Sequence, residues 1–184
     1  MAKKGFDRLE VIDNAIELFW RHGYTASSVQ LITQYTGLKP GSLYNEFGNK
    51  EGLFNEALQR YAESTIQMIH TTMNEEQDVK KAVLRILDES IQASTECGFC
   101  GCFLIKTQLE LGAQDNPLYE LALNKLNEIE RTYQHYLTQE FDESKSIECA
   151  RQVMMMVFSI QIYGYKKNVS YELSHSIRSF LPWL

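Results

Sequence analysis

The chain has 184 residues, 44% of them hydrophobic, and a formal net charge of −6 at pH 7. This length and apolar content are typical of a globular protein with one generous domain or two small ones. No apolar run approaches the roughly 20 residues of a membrane helix, and the N-terminus leads into a charged amphipathic stretch, which excludes a signal peptide core. We therefore expect a cytoplasmic protein that does not span a membrane.

The negative charge is unevenly distributed along the chain. Residues 1–60 contain equal numbers of basic and acidic side chains, so the remainder carries the whole deficit. Salt screens charges over about 10 Å, so attraction to phosphates depends on local lysines. The acidic excess is thus compatible with nucleic-acid binding near the N-terminus, and a solvated surface without a binding role is the alternative. The lysines available there are Lys3, Lys4, Lys39 and Lys50.

The first predicted element is a helix over residues 6–21. Leu9, Ile12, Ile16 and Phe19 recur at helical spacing, and His22-Gly23 closes the segment. This helix can pack over the segment that follows it.

Residues 27–50 predict two short helices joined by a tight turn and followed at once by another helix. Ser27 and Gln30 stand in capping-box spacing at the start of this segment. Leu43 and Phe47 lie four residues apart, on the inner face of the second helix. This order of elements indicates a helix-turn-helix, and its polar outer face suits phosphates and base edges. The outer residues are Lys39, Ser42, Tyr44 and Asn45.

The rest of the chain is predicted to be helical, without strand periodicity of useful length. Segment 153–162 is apolar nearly all round, which predicts burial on more than one side or packing against a second copy of the chain. The predicted helices are 49–73, a helix through 79–91, 103–112, a helix from Pro117 through Leu137, a helix that follows Asp142, and 171–180.

Glycine, tyrosine, phenylalanine and lysine fall at fixed offsets in the first third of the chain. The motifs are Glu17-Leu18-Phe19, Gly23-Tyr24, Ser27-Ser28-Val29, Ile32, Gly37-Leu38, Gly41-Ser42-Leu43-Tyr44, Phe47 and Lys50-Glu51-Gly52-Leu53-Phe54. This pattern resembles the N-terminal region of the TetR family of bacterial transcriptional regulators. A looser resemblance to C-terminal domains of this family covers Gly101-Cys102-Phe103-Leu104-Ile105 and Leu109-Glu110-Leu111.

The resemblance implies an all-α homodimer. Residues 1–48 would form a three-helix helix-turn-helix DNA-binding domain, and residues 49–184 a helical ligand-binding and dimerisation domain, with helix 49–73 linking the two. The protein would bind a palindromic operator on double-stranded DNA and leave it when a small apolar or aromatic ligand binds. The resemblance thus implies a repressor without a cofactor, and a helical interaction module without DNA binding is an alternative. Because no enzyme motif is present, we do not expect an enzyme.

The resemblance also places the DNA contacts. Tyr44 and Lys50 would donate to phosphates, and Gly41 would let the main chain approach the DNA. The structural alternatives are a core position for Tyr44 and an exposed position after a helix cap for Lys50. The full set is Ser27, Ser28, Lys39, Pro40, Gly41, Ser42, Tyr44, Asn45 and Lys50.

Glu46 departs from the family pattern, which commonly has a histidine or another aromatic residue there. A carboxylate near phosphate is repulsive unless it points away from the DNA or accepts a hydrogen bond from a cytosine amino group. Lys39 also departs, since it replaces a small hydroxyl residue and adds a candidate contact.

The resemblance places the ligand pocket among the helices after Met73. Methionines and aromatic residues there would form an adaptable apolar cavity, although at helical spacing they also suit a core. The candidates are Phe103, Tyr133, Met154, Met155, Phe158 and Tyr163.

Three of the four cysteines, Cys97, Cys100 and Cys102, crowd into one short segment. With Cys100 or Cys102 as the reactive thiol, they form a candidate sensor of oxidants or electrophiles, which would make the protein a thiol-sensing repressor. Ligation of a soft metal ion, with Cys149 or a histidine as a fourth ligand, and burial at a helix junction are the alternatives. The histidines are scattered and do not indicate a histidine metal site, and we expect no bound metal.

Overall fold

The computed structural model describes residues 6–112, 115–166 and 170–184. Within these ranges the chain forms nine α-helices and no strand, which confirms the all-α prediction. None of these described helices is long and apolar enough to cross a membrane. The helices are α1 (Arg8–His22), α2 (Val29–Thr36), α3 (Pro40–Phe47), α4 (Lys50–Glu76), α5 (Val79–Ser94), α6 (Phe103–Leu111), α7 (Pro117–Leu137), α8 (Glu143–Tyr163) and α9 (Ser170–Phe180).

Most helix ends follow local signals in the sequence. Asn49 caps α4 as predicted, because its side chain accepts a hydrogen bond from Gly52 N at 2.8 Å. Asp142 accepts from Lys145 N at 2.8 Å at the start of α8. Gly37 ends α2 in the left-handed conformation, with φ of 70°.

The start of α2 differs from the prediction. Ser28 is the N-cap, and its hydroxyl accepts a hydrogen bond from Leu31 N at 3.1 Å. Ser27 is fully buried and donates to the Gly23 carbonyl at 2.6 Å, so the predicted capping box of Ser27 and Gln30 is wrong. The Ser27 hydroxyl is bonded to the end of α1 and is not available to cap α2. The cap is therefore the next residue, Ser28.

The chain divides into two compact units. The first unit comprises Met1–Glu63 and Cys102–Lys125, and the second comprises Ser64–Gly101 and Leu126–Leu184. The first therefore contains α1, α2, α3, the first half of α4 and α6. The functional boundary after residue 48 stays a prediction, since these units describe packing.

Aromatic side chains form the core of the first unit. Phe54 of α4 packs edge-on against Phe19 of α1 and Phe103 of α6, with ring centroids 4.7 Å and 5.2 Å apart. Tyr61 extends the cluster, 5.7 Å from Phe103. Such edge-to-face pairs add about 0.5–1.5 kcal/mol each to the effect of burial. Helix α6 therefore packs against both α1 and α4.

In the second unit α5 packs against α8 and α9. Val153 and Ile160 of α8 are buried, whereas Met155 and Ile162 are 58% and 57% exposed. The prediction that segment 153–162 is buried on more than one side therefore fails within a single chain. Its apolar residues spread round the helix, and only one side is covered by the described parts of the same chain.

Candidate nucleic-acid interface

Helix α3 has a buried inner face and an exposed polar face. Lys39 is its N-cap residue and Pro40 occupies the first helical position. Leu43 and Phe47 are 0% and 7% exposed, which confirms their predicted inward orientation, while Tyr44 is 51% exposed. The alternative core position for Tyr44 is therefore wrong. The buried Leu43 and Phe47 set the rotation of α3 about its axis, and this rotation directs Tyr44 toward solvent.

The exposed surface continues on both sides of Tyr44. Lys39, Gly41 and Asn45 are exposed, Ser42 is half-buried, and the helix-capping Ser28 of α2 is exposed. These side chains offer an ammonium group, an amide and hydroxyls, all able to donate hydrogen bonds. The arrangement can therefore bind phosphate oxygens and base edges.

Gly41 has no role in packing. A Cβ atom added there would have no heavy atom within 4 Å, and the residue is the second of α3, where the helical backbone does not require glycine. By contrast, a Cβ at Gly52 would lie 2.0 Å from the Phe47 carbonyl oxygen. The fold therefore explains Gly52 and leaves Gly41 to be explained by what approaches α3 from outside.

Glu46 points away from the exposed face of α3. Its side chain is 19% exposed, and Oε2 lies 3.8 Å from the Arg8 guanidinium of α1. Arg8 also pairs with Glu56 at 2.6 Å and lies over the Phe47 ring, 5.0 Å from its centroid. The structure thus favours the first of the two alternatives for Glu46, since its charge is directed at a cation of the same unit.

Lys50 is held inside the first unit. Its Nζ donates to the Tyr24 carbonyl at 2.9 Å and lies 4.1 Å from the centroid of the Tyr24 ring. Burial lowers the pKa of Lys50, and the nearby Glu110 carboxylate opposes that shift. Lys50 therefore supports the turn between α1 and α2, and the alternative of an exposed residue after a cap is wrong.

Comparison with known proteins identifies the family. The sequence profile described as "Bacterial regulatory proteins, tetR family" matches residues 11–57. The transcriptional repressor ComR of Escherichia coli is 33% identical over 141 residues, which cover 74% of this chain and 66% of ComR. The chain belongs to the TetR family. The repressor BdcR of the same organism is 26% identical over 151 residues, covering 82% of this chain and 74% of BdcR.

The fold of this TetR-family protein agrees with solved structures. A cysteine-substituted form of the TetR family regulator CifR, complexed with a 26-base-pair operator DNA, superposes with a TM-score of 0.82. That match covers 99% of this chain and 98% of CifR at 21% identity. At this identity the likeness establishes the fold.

The residues predicted to bind a ligand do not form one group in this TetR-family protein. Phe103 belongs to the first unit, where it is 1% exposed in the aromatic core, so the structure gives it a packing role. Met155 and Tyr163 are 58% and 52% exposed on α8. Tyr133 and Met154 are 2% and 4% exposed in the second unit, where burial raises the pKa of Tyr133 and keeps its hydroxyl protonated.

One face of α8 combines apolar and polar character. Met154, the half-buried Phe158 and Gln161 follow one another at positions i, i+4 and i+7. Gln161 Oε1 is buried without a hydrogen-bond partner among the described residues. A buried polar atom without a partner is costly, so this face suits a ligand with a hydrogen-bond donor. Sequence reasoning missed Gln161, because glutamine carries no apolar signal.

The cysteines of this TetR-family protein differ in environment. Cys97 is exposed, Cys100 is half-buried, and Cys149 is buried. Burial raises the pKa of Cys102, which is hydrogen-bonded with Tyr61, so the structure does not favour Cys102 as the reactive thiol. Within the described ranges no three His, Cys, Asp or Glu side chains are grouped to hold a metal ion.

Two charged residues that support the interface escaped sequence reasoning. Arg8 attracts the Glu46 carboxylate at 3.8 Å, and Glu110 of α6 accepts hydrogen bonds from the turn before α2. Glu110 is visible in the looser family resemblance, although that pattern assigns it no role. Both contacts join residues far apart in the chain, and no local spacing reveals them.

Proposed function

We propose that this TetR-family regulator is a repressor that binds a palindromic operator as a homodimer and leaves it when a small apolar or aromatic ligand binds. The observation that carries the DNA-binding part is the polar outer face of α3, held in place by the buried Leu43 and Phe47. ComR and BdcR, which are similar to this chain, are transcriptional repressors, and the CifR complex contains operator DNA.

The chemistry of each exposed side chain suggests its role. The hydroxyls of Tyr44 and Ser28 would donate hydrogen bonds to phosphates. Lys39 would add a mobile ammonium group, and the Asn45 amide would bond to a base edge. Gly41 admits the DNA backbone close to α3. Ser27 leaves this set because its hydroxyl is buried and already donates to Gly23.

The dimer would form through exposed apolar residues of α8 and α9. Met155 and Ile162, seven residues apart on one side of α8, are 58% and 57% exposed in the single chain, and Tyr171 and Phe180 of α9 are 82% and 66% exposed. Large apolar residues exposed on two helices of one unit are typical of an interface. Two such helices from each copy would make a four-helix contact around a two-fold axis.

The ligand would bind in the second unit, against the α8 face of Met154, Phe158 and Gln161. The protonated Tyr133 hydroxyl of the same unit is a further polar group for this site. Ligand binding would favour an arrangement of the dimer whose recognition helices no longer match successive major grooves.

Selection of bound fragments from the source genome tests the DNA-binding part. Binding of a selected fragment and a scrambled fragment is then measured by fluorescence anisotropy at several salt concentrations. We expect the selected fragment to bind at least about a thousandfold more tightly, with a salt slope of several ions. Equal affinity for both fragments would reject sequence-specific binding and favour the interaction module.

The ligand part is tested with small aromatic compounds chosen from the pathways encoded beside the selected fragment. A true ligand raises the melting temperature by mass action and also releases the fragment. Its effect falls in Met154→Ala and persists in the matched control Met68→Ala, at an exposed methionine of α4. Release without a change in melting temperature, or equal loss in both variants, would argue against this site.

A further inference from the structure

We infer that Glu110 is a positioning residue for operator binding, because its carboxylate holds the turn between α1 and α2 and thereby orients the start of α2. This inference rests on the proposed function, since it concerns how the DNA-binding surface is kept in shape. It gives α6 an indirect role in DNA binding, because α6 supports the DNA-binding surface without being part of it.

The carboxylate binds the turn through two backbone donors. Tyr24 N donates to Oε2 at 2.9 Å, and Thr25 N donates to Oε1 at 2.7 Å. Each carboxylate oxygen thus accepts one amide, and hydrogen bonds to an ionised acceptor are about twice as strong as neutral ones. Glu110 therefore fixes two successive peptide groups of the turn.

Lys50 and Glu110 bind opposite ends of one peptide group in this turn. The Tyr24 carbonyl, which accepts from Lys50 Nζ at 2.9 Å, and the Thr25 N–H belong to a single peptide group. The cation lies at the negative end of the peptide dipole and the carboxylate at its positive end. This arrangement opposes any rotation of the peptide.

Gly23 makes room for the carboxylate. Its φ is 79°, and a Cβ atom added there would lie 2.6 Å from Glu110 Oε2. Both its left-handed conformation and the close approach favour glycine at this position. The Gly23 carbonyl in turn accepts the hydroxyl of the buried Ser27. The three turn residues next to Glu110, Gly23, Tyr24 and Thr25, are therefore all held by hydrogen bonds.

Helix α6 is well anchored to hold Glu110 in place. Phe103, Lys106 and Glu110 follow at i, i+3 and i+7 and so share one face. Phe103 lies in the aromatic core, and Lys106 Nζ donates to the Trp20 carbonyl of α1. Glu110 thus extends from a fixed helix, and the turn takes its position from α6.

The position of the turn affects the DNA-binding surface through Ser28. Ser28 follows Thr25 by three residues, caps α2 and is exposed. A turn released from Glu110 samples other arrangements, and the apparent affinity falls with the fraction that remains competent to bind. Loss of the carboxylate therefore weakens operator binding without removing a DNA contact.

The test compares Glu110→Gln with Glu120→Gln, a matched control at an exposed glutamate of α7. For each full-length variant, three quantities are measured: affinity for the selected operator fragment, melting temperature, and NMR shifts and hydrogen exchange of the Tyr24 and Thr25 amides. The shifts report the carboxylate contact directly, which a general loss of stability does not change selectively.

In Glu110→Gln we expect the dissociation constant to rise about tenfold, with selective changes at the two amides and a folded, cooperatively melting protein. Glu120→Gln should match the wild type. Altered amides with unchanged or tighter operator binding would overturn the inference while leaving the proposed function intact. Absence of operator binding in the wild type would instead reject the proposed function.

Discussion

Individual residues of α3 and of the first turn of α4 divide into those that the fold requires and those that it does not. Leu43 and Phe47 are buried, and Gly52 has no room for a side chain. Tyr44 is exposed and Gly41 adjoins open space, so neither is explained by packing. Residues of the second kind are the best sites for separating DNA binding from stability.

Gly41→Ala should change stability and operator affinity in opposite directions. Alanine is favoured over glycine inside a helix by about 0.5–1 kcal/mol, and nothing lies within 4 Å of the added methyl group. The free energy of unfolding should therefore rise slightly, as measured in urea. Operator affinity should fall, because the methyl group obstructs close approach of the DNA. Unchanged or tighter binding would show that Gly41 does not face DNA.

The cysteines should differ in reactivity toward a maleimide. Cys97 is exposed, whereas burial raises the pKa of Cys102, which keeps its thiol protonated and slows its reaction. Mass spectrometry after timed alkylation of the native protein should show Cys97 modified well before Cys102. Denatured protein provides the control, since all four thiols are then accessible. Equal native rates at Cys97 and Cys102 would contradict the assigned environments.

For the helices, local sequence signals predict where an element begins or ends, but they do not predict which elements pack together. The ends of α2, α4 and α8 follow from Gly37, Asn49 and Asp142, because caps and breakers act within one turn. The partners of α6 could not be predicted in this way. Phe103 and Glu110 contact residues about 50 and 86 positions away, so sequence spacing offers no measure of their proximity.

Phe103→Ala should destabilise the protein strongly, because Phe103 is 1% exposed and joins α6 to the aromatic core. Truncation of a buried phenylalanine lowers the free energy of unfolding by about 3–5 kcal/mol. Denaturant titration followed by circular dichroism measures the change. The control Met68→Ala alters a residue of α4 that is 40% exposed and should cost much less. A similar small loss in both variants would return Phe103 to the ligand candidates.

For the whole molecule, exposed apolar residues and charge distribution carry the remaining information. Several large apolar residues of α8 and α9 are exposed in the single chain, and the negative charge lies beyond residue 60. A homodimer would cover the first feature, and the helix-turn-helix at the neutral N-terminal end is compatible with the second. Composition predicts neither the interface nor the operator, because both depend on which residues share a surface.

Ile162→Glu should convert the dimer to a monomer. The residue is 57% exposed on the apolar side of α8, so a charge there would be buried unpaired in the proposed interface. Analytical ultracentrifugation should show half the wild-type mass, and operator affinity should fall because the two half-sites are no longer bound together. Met68→Glu, at a 40% exposed position of α4, serves as the control. A dimeric Ile162→Glu variant would place the interface elsewhere.

Hydroxyl-radical footprinting of the selected fragment shows whether two copies of α3 bind one operator. Wild-type protein should protect two symmetric half-sites whose centres are separated by about one helical turn or a multiple of it. Tyr44→Ala should lose that protection while keeping the wild-type melting temperature, since Tyr44 is 51% exposed. The same footprint from Tyr44→Ala, or a single asymmetric footprint from the wild type, would show that two copies of α3 do not read the operator.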